Sequence, residues 1–341
     1  MAISFDKQVP RWVTGWLAFM VLLVTAMIIV GGATRLTNSG LSITEWAPIT
    51  GALPPLTQAD WIAEFERYKL IPEFEAEHPD MDLQGFKFIY FWEWAHRQLG
   101  RIIGLVFALP LLILTLQRKL PAGRGVWLYG ILILIGIQGA IGWWMVHSGL
   151  QEGMVAVSQY RLAIHLGMAF IILGLLLWML IEAWRGWNRT VSAPRGWLPP
   201  LLLVLIYVQI MAGAFVAGTD SGKTYNSWPL MDGDVVPSGY WIQSPFWRNI
   251  FENPAAIQFN HRMLAYIILV LFFAVLFRYR RSRVMRLPLF MLGLCLIWQV
   301  GLGIWTLLAV APLNLALLHQ FSSIIVFIVA VWMLSRWKKI R

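Results

Sequence analysis

Eight apolar stretches alternate with polar segments along the 341-residue chain. Each is close to the ~20 residues that an α-helix needs to cross the hydrocarbon core of a bilayer. The predicted spans are 14–34, 93–116, 126–147, 161–183, 197–218, 257–277, 288–310 and 315–335. The pattern predicts an all-α integral membrane protein with eight transmembrane helices.

Composition agrees with a membrane protein, because 59% of the residues are hydrophobic and only 13% are charged. A soluble domain of this length has too few polar residues to cover that much apolar surface. The single cysteine, Cys295, excludes an intramolecular disulfide and a multi-cysteine metal site.

Basic residues are divided unevenly between the two sides of the predicted membrane. Of the 27 basic residues, 17 lie at the termini or in the segments after the second, fourth and sixth spans. The positive-inside rule therefore places both termini in the cytoplasm, and the net charge of +10 reflects topology, with no nucleic-acid partner expected. The first span lacks a cleavage site, and no transit peptide precedes it, which favours a multi-pass protein of the bacterial cell inner membrane.

The chain contains an internal repeat of four spans. The sequence TNSG at 37–40 corresponds to TDSG at 219–222, and QGAIGWW at 138–144 corresponds to QVGLGIW at 299–305. Residues 1–190 and 191–341 are therefore predicted to form two pseudo-symmetric four-helix bundles. Because each unit has an even number of spans, the two form a parallel tandem repeat about an axis along the membrane normal.

Four histidines occupy repeat-equivalent positions near the outer ends of alternate spans: His96, His165, His261 and His319. An imidazole within the membrane is costly unless it is paired, so it marks a functional site. Two pairs suggest two bis-imidazole haem sites, with hydrogen bonding between helices as the alternative. At 1.5 Å per residue, His96 and His165 are expected roughly 5 Å inside their helices.

Several other polar residues accompany these histidines. Arg97, Arg161 and Arg262 are candidates to bind haem propionates, or alternatively loop carboxylates and lipid headgroups. His78 and His147 have no repeat partner and are predicted to be structural or solvated.

The two halves differ beside the first histidine of each pair. Glu93 precedes His96 by three residues, whereas Gln258 holds the equivalent position before His261. A carboxylate can transfer protons, and only one of the two sites has a carboxylate beside it. The reaction is therefore predicted at that site. The alternative is that Glu93 forms an ordinary i,i+4 ion pair with Arg97.

The loop 41–90 on the outer side is predicted to contain a short helix. Thr57 and Asp60 resemble a capping box at its start. Trp61, Phe65 and Tyr68 then share one face at helical spacing. This helix packs on the membrane surface or forms a lid over a ligand.

Three long motifs resemble the haem A synthase family, in its proteobacterial and mitochondrial branch. They are GGATRLTNSGLS at 31–42, EWAPITGALPPLTQADWIAEFERYK at 45–69 and FWEWAHRQLGRIIG at 91–104. Some members of the family carry cysteine pairs in the outer loops, and this chain does not, which excludes a step that depends on them.

The resemblance implies oxidation of the C8 methyl of haem O to a formyl group through hydroxylated intermediates. It implies that His261 and His319 ligate the iron of a resident haem b that passes electrons. The substrate haem iron would lie between His96 and His165, with Glu93 as the catalytic carboxylate. Haem O synthase (protohaem farnesyltransferase) is the implied upstream partner beside membrane lipid, while the electron donor, the oxygen source and a homo-oligomer stay open.

Two other classes of protein compete with this interpretation. A membrane di-haem cytochrome b that only transfers electrons would place haems at both faces, whereas these histidines share one face. A transporter that relays protons needs a polar path inward, but the inner half of the second span, 102–116, contains no ionisable residue.

The basic-residue pattern gives the first prediction. Topology reporters fused after residue 40 and after residue 225 should report the outer side, and a control fusion after residue 120 should report the cytoplasm. A cytoplasmic signal from either of the first two fusions would contradict the assigned orientation.

Overall fold

A computed structural model describes residues 10–47, 50–187 and 196–337. Within these ranges the chain forms eleven α-helices and no β-strand, and eight of the helices are long and apolar enough to cross a membrane. The helices are α1 (Trp12–Leu36), α2 (Gln58–Lys69), α3 (Pro72–Glu77), α4 (Leu83–Leu116), α5 (Gly125–Gly149), α6 (Gln159–Trp184), α7 (Leu198–Gly218), α8 (Arg248–Glu252), α9 (Pro254–Tyr279), α10 (Arg283–Leu308) and α11 (Leu313–Trp337). The predicted all-α architecture with eight spans is confirmed.

The second span begins earlier than its apolar stretch suggests. Helix α4 starts at Leu83, ten residues before the predicted start, where the Asp82 carboxylate accepts a hydrogen bond of 2.8 Å from the backbone N–H of Gly85. Residues 83–92 read LQGFKFIYFW, and their buried aromatic side chains pack against α2, so the helix is longer than the ~20 residues that a span needs. His96 consequently lies about 20 Å along its helix, and the expected depth of roughly 5 Å was wrong. His165 lies about 9 Å along α6.

The histidine-bearing helices stand diagonally across from one another. Helices α4 and α6 each pack against α1 and α5. Helices α9 and α11 each pack against α7 and α10 in the same order. Two parallel bundles remain a prediction, and the proposed boundary at 190/191 lies outside the described residues.

Helix α11 joins the first four spans to the last four. Its Phe327 ring meets the Phe170 ring of α6 edge to face, with centroids 5.1 Å apart. On the outer side of this contact, the Gln320 amide donates a hydrogen bond of 2.7 Å to the backbone carbonyl of Ile28 in α1. A Cβ atom at Gly32 would overlap that amide, so the Gln320 side chain takes this position because residue 32 is a glycine.

The predicted helix of the outer loop is α2. Its capping box is complete, since the Thr57 and Asp60 side chains each accept a hydrogen bond from the backbone N–H of the other residue. Trp61, Phe65 and Tyr68 are all buried, and they pack against the extension of α4. The extension therefore serves as the platform on which the outer loop folds.

A buried polar group lies beneath this aromatic cluster. The Tyr68 hydroxyl contacts the Glu73 carboxylate at 3.3 Å and His78 Nδ1 at 2.7 Å. Burial raises the pKa of Glu73 from 4.5 to about 8, and the negative charge of Glu93 acts in the same direction. His78 is thus a structural residue of the loop, as predicted.

The raised pKa of Glu73 gives the second prediction. The folded state binds this proton more tightly than the unfolded state, so stability falls as the pH rises from 4.5 towards 8. We expect Glu73→Gln to raise the melting temperature relative to wild type, and by more at pH 8 than at pH 5. Thermal unfolding in detergent at both pH values measures this, with the exposed Glu75 replaced by Gln as the control. An equal effect of Glu73→Gln at both pH values would contradict the assignment.

Candidate functional site

The first pair of histidines has the spacing of two ligands on one metal ion. The rings of His96 and His165 have centroids 6.3 Å apart and planes inclined at 77°. A metal–imidazole bond is about 2 Å long, so two imidazoles on opposite sides of one metal have centres roughly 6 Å apart. All four intramembrane histidines are half-buried, which leaves part of each ring accessible.

Each histidine ring lies against a glycine of a neighbouring helix. A Cβ atom at Gly142 or Gly303 would lie 2.9 Å from Cε1 of His165 or His319, respectively. The corresponding distances are 3.0 Å from Gly31 to His96 Nε2 and 3.4 Å from Gly213 to His261 Cε1. These glycines therefore let the imidazoles fit between closely packed helices.

Three glutamines also contact the histidines. The side-chain amide nitrogens of Gln138, Gln209 and Gln299 donate to the backbone carbonyls of His165, His261 and His319 at 3.1, 3.0 and 3.1 Å. The repeat aligns Gln138 with Gln299, but neither was predicted to have a function, and Gln209 was not predicted as a site residue. The signal was present as Gln-x-x-x-Gly, which places the amide and the glycine on one helix face.

Two histidines per site suit a metal ion whose other ligands come from a cofactor. In residues 10–47, 50–187 and 196–337 there is no group of three or more His, Cys, Asp or Glu side chains that could hold a bare metal ion. Two axial imidazoles leave four equatorial positions, which a porphyrin fills. The histidine pairs therefore fit haem.

Glu93 is buried and accepts four hydrogen bonds. One carboxylate oxygen accepts from the Ser42 hydroxyl at 2.9 Å and the Ile43 backbone N–H at 2.8 Å. The other accepts from Arg97 Nε at 3.1 Å and Nη2 at 2.6 Å. Glu93 therefore forms the i,i+4 ion pair with Arg97. Its other oxygen binds Ser42 and Ile43 at the start of the outer loop.

The equivalent position in the second half has a neutral side chain, Gln258. The Gln258 amide donates to the carbonyls of Ser221 at 2.9 Å and Tyr225 at 3.1 Å. Its oxygen lies 3.3 Å from Nη2 of Arg262. The two halves thus hold equivalent loops through side chains of different charge.

The three candidate propionate-binding arginines donate to backbone carbonyls. Arg97 reaches Ile43, Arg161 reaches Trp144, and Arg262 reaches Tyr225 and Ser227, at distances between 2.6 and 3.0 Å. Arg97 and Arg262 each follow a histidine by one residue, and Arg161 precedes His165 by four residues. Binding of propionates by these side chains stays a prediction.

His147 is the remaining histidine. Its ring stacks on Trp143, one turn earlier in α5, with centroids 5.9 Å apart and planes inclined at 18°. This contact is consistent with a structural role.

Comparison with known proteins connects these sites to one family. The profile of the COX15-CtaA family, described as cytochrome oxidase assembly protein, matches residues 14–331. Heme A synthase from Maricaulis maris is 49% identical over 94% of both chains. Heme A synthase from Paracoccus denitrificans is 48% identical over 92% of this chain and 84% of its own length, and that from Beijerinckia indica is 47% identical over 97% and 94%.

The chain belongs to this family. Membership confirms the predicted haem-dependent membrane oxidoreductase and favours it over a cytochrome that only transfers electrons.

Proposed function

We propose that the protein converts haem O to haem A by oxidising the C8 methyl group to a formyl group. The substrate haem is bound between His96 and His165, and a resident haem b is bound between His261 and His319. The curated relatives that share most of the chain are named heme A synthases, which supports this substrate and product. Haem O synthase, which produces haem O, is the corresponding upstream partner.

The difference between Glu93 and Gln258 carries the assignment of the two sites. Both loops are held by the neighbouring arginine through backbone carbonyls, in one half by Arg97 to Ile43 and in the other by Arg262 to Tyr225. Because this anchoring needs no carboxylate, the charge of Glu93 is a separate feature that distinguishes the first site. We therefore assign the oxidation to that site.

The residues of the first site divide the work between binding and proton transfer. His96 and His165 hold the substrate through its iron, and the apolar helices around them suit the porphyrin body. Oxidation of a methyl group to an aldehyde requires protons to be delivered and removed. Glu93 holds and transfers them, and its contacts with Ser42 and Ile43 connect it to the outer loop.

The second site supplies electron transfer. A haem b held by His261 and His319 has no carboxylate beside its first ligand, because Gln258 occupies that position. A bound haem b would provide one-electron redox chemistry at this site.

The proposed location is the bacterial inner membrane with the histidines towards the outer face. Eight apolar helices and bacterial relatives support a multi-pass membrane protein. The distribution of basic residues supports cytoplasmic termini, although residues 1–9 and 338–341 lie outside the described part of the chain. Arg97, Arg161 and Arg262 then lie on the side where haem propionates would meet water.

The two-site assignment gives the third prediction. His261→Ala and His319→Ala should each abolish the low-spin haem b spectrum of the purified protein, since one imidazole is lost from the iron. His96→Ala should retain that spectrum and stop haem A formation. Pyridine haemochrome spectra and chromatography of extracted haems measure both effects.

His147→Ala is the control, because this ring contacts Trp143 and lies outside both pairs. A haem b spectrum that survives His261→Ala and disappears in His96→Ala would show that the two sites are reversed.

The acid–base role gives the fourth prediction. Glu93→Gln should lower haem A formation by roughly 10²–10⁴-fold, the range for a lost acid–base group. Haem b should stay bound, because Glu93 lies outside the site formed by His261 and His319, and the outer loop should stay in place, because Arg97 keeps its bonds to the carbonyls of Ile43 and Glu45. Haem O or a partly oxidised haem should accumulate, which chromatography of the extracted haems detects.

Glu73→Gln serves as the matched control, since it removes another buried carboxylate of the outer region. It should leave turnover close to that of wild type. Near-normal haem A formation in Glu93→Gln would show that Glu93 is only a structural partner of Arg97.

A further inference from the structure

Three of the four intramembrane histidines share one local arrangement. The ring lies against a glycine, and a glutamine four residues earlier on the same helix donates to the histidine carbonyl. The pairs are Gln138 with Gly142, Gln209 with Gly213, and Gln299 with Gly303. Residues four apart on a helix lie on one face, so each of these helices presents an amide and a space for an imidazole together.

The fourth histidine lacks the amide. Gly31 contacts the His96 ring in the same way, but the residue four positions earlier is Met27. The repeat aligns Met27 with Gln209, because TNSG at 37–40 and TDSG at 219–222 follow at equal distances. The Met27 thioether has no N–H group to donate, and its methyl carbon lies 3.4 Å from the Cβ position of Gly100.

The amides are also within reach of the histidine rings. The side-chain nitrogen of Gln209 lies 3.2 Å from Nδ1 and 3.3 Å from Nε2 of His261, and that of Gln299 lies 3.3 and 3.4 Å from the same atoms of His319. The side-chain nitrogen of Gln138 lies 3.4 Å from Nε2 of His165, whose Nδ1 is buried without a partner among the described residues. The amide oxygens of Gln138, Gln209 and Gln299 are buried and have no hydrogen-bond partner among the described residues. A buried acceptor without a partner is costly, and such an atom usually has a donor in the functional state.

A histidine bound to a metal through Nε2 supplies that donor. Its Nδ1 then carries a proton and normally donates it to a nearby acceptor, which fixes the tautomer and raises the basicity of the ligand. Rotation of the imidazole ring on ligation would turn its Nδ1–H towards the unpartnered amide oxygen, and the amide nitrogen would keep its bond to the histidine carbonyl.

We propose that Gln138, Gln209 and Gln299 are positioning residues that fix His165, His261 and His319 for ligation of haem iron. Met27 leaves His96 as the one ligand without this support. The haem between His96 and His165 is therefore the one that exchanges, whereas the haem between His261 and His319 is retained. This inference rests on the proposed function, in which the first site must admit a substrate and release a product.

The fifth prediction tests the second site by the reduction potential of its haem b. Gln209→Met, which introduces the residue of the other half, should raise the potential because the ligand becomes less basic. Gln209→Glu should lower it, because a carboxylate is a stronger acceptor for the Nδ1 proton. A purely structural role for Gln209 predicts no such opposite shifts. Gln117→Met, at an exposed glutamine distant from the histidines, is the control.

The same prediction includes a rate measurement. Purified protein loaded with haem b at both sites should transfer haem to excess apomyoglobin in two phases, and His96→Ala should remove the fast one. Met27→Gln should slow the fast phase by about 10–100-fold, the usual effect of an outer-shell partner on metal affinity. Gln209→Met should speed the slow phase by a similar factor.

The outcomes separate this proposal from the proposed function. Unchanged rates in Met27→Gln and unchanged potentials in both Gln209 variants would overturn the positioning role, even if the protein converts haem O. Two-phase release that responds to Met27→Gln, without conversion of haem O, would support the positioning role and overturn the proposed function. If Gln209→Met does not fold, Met27→Gln and Gln209→Glu still decide the question.

Discussion

Each candidate haem site depends on two helices being held apart by the two helices beside them. Helices α4 and α6 both pack on α1 and α5, so their histidines face each other across the bundle. Neighbouring helices have axes about 8–10 Å apart, which leaves little room for an imidazole between them. Glycines such as Gly31 and Gly142 provide that room, and His96 and His165 reach a separation of 6.3 Å. The metal-binding geometry is therefore a consequence of small residues on the supporting helices.

The outer ends of the two halves share a turn and differ in the loop that follows it. In each half, the hydroxyl of a threonine after the first helix donates a hydrogen bond to a backbone carbonyl of that helix. The pairs are Thr37 with Ala33 and Thr219 with Phe215. This common turn delivers the following loop to the helix that carries the first histidine. The loops then diverge in sequence, and only the first forms the aromatic cluster on the extension of α4. The turn after the first helix is thus common to both halves, whereas the loop that follows it is not.

The sequence predicted the spans well because lipid requires every backbone polar group to be paired within a helix. It also predicted α2, since Thr57 and Asp60 form a local capping motif. It failed at Leu83, because an expected span of ~20 residues does not include the extra turns of α4 that pack against the outer-loop helix. The contact between Gln209 and His261 joins residues 52 positions apart, and an uncharged amide in an apolar helix does not identify its partner. Local signals were therefore readable, and contacts between helices required the structure.

The environments of Glu93 and Gln258 have opposite polarity. The Glu93 carboxylate accepts from the Ser42 hydroxyl and the Ile43 N–H, so its loop presents donors to this position. Gln258 instead donates to the carbonyls of Ser221 and Tyr225, so its loop presents acceptors. A carboxylate at position 258 would face two carbonyl oxygens, which repel it.

This difference extends the asymmetry from one side chain to a whole loop. The backbone after α1 turns an N–H group towards Glu93, whereas the backbone after α7 turns carbonyl groups towards Gln258. Since a single substitution cannot reverse these peptide groups, each loop conformation and its residue at position 93 or 258 form one unit. The division between the two sites is therefore built into the backbone of the outer loops as well as into the identity of Glu93.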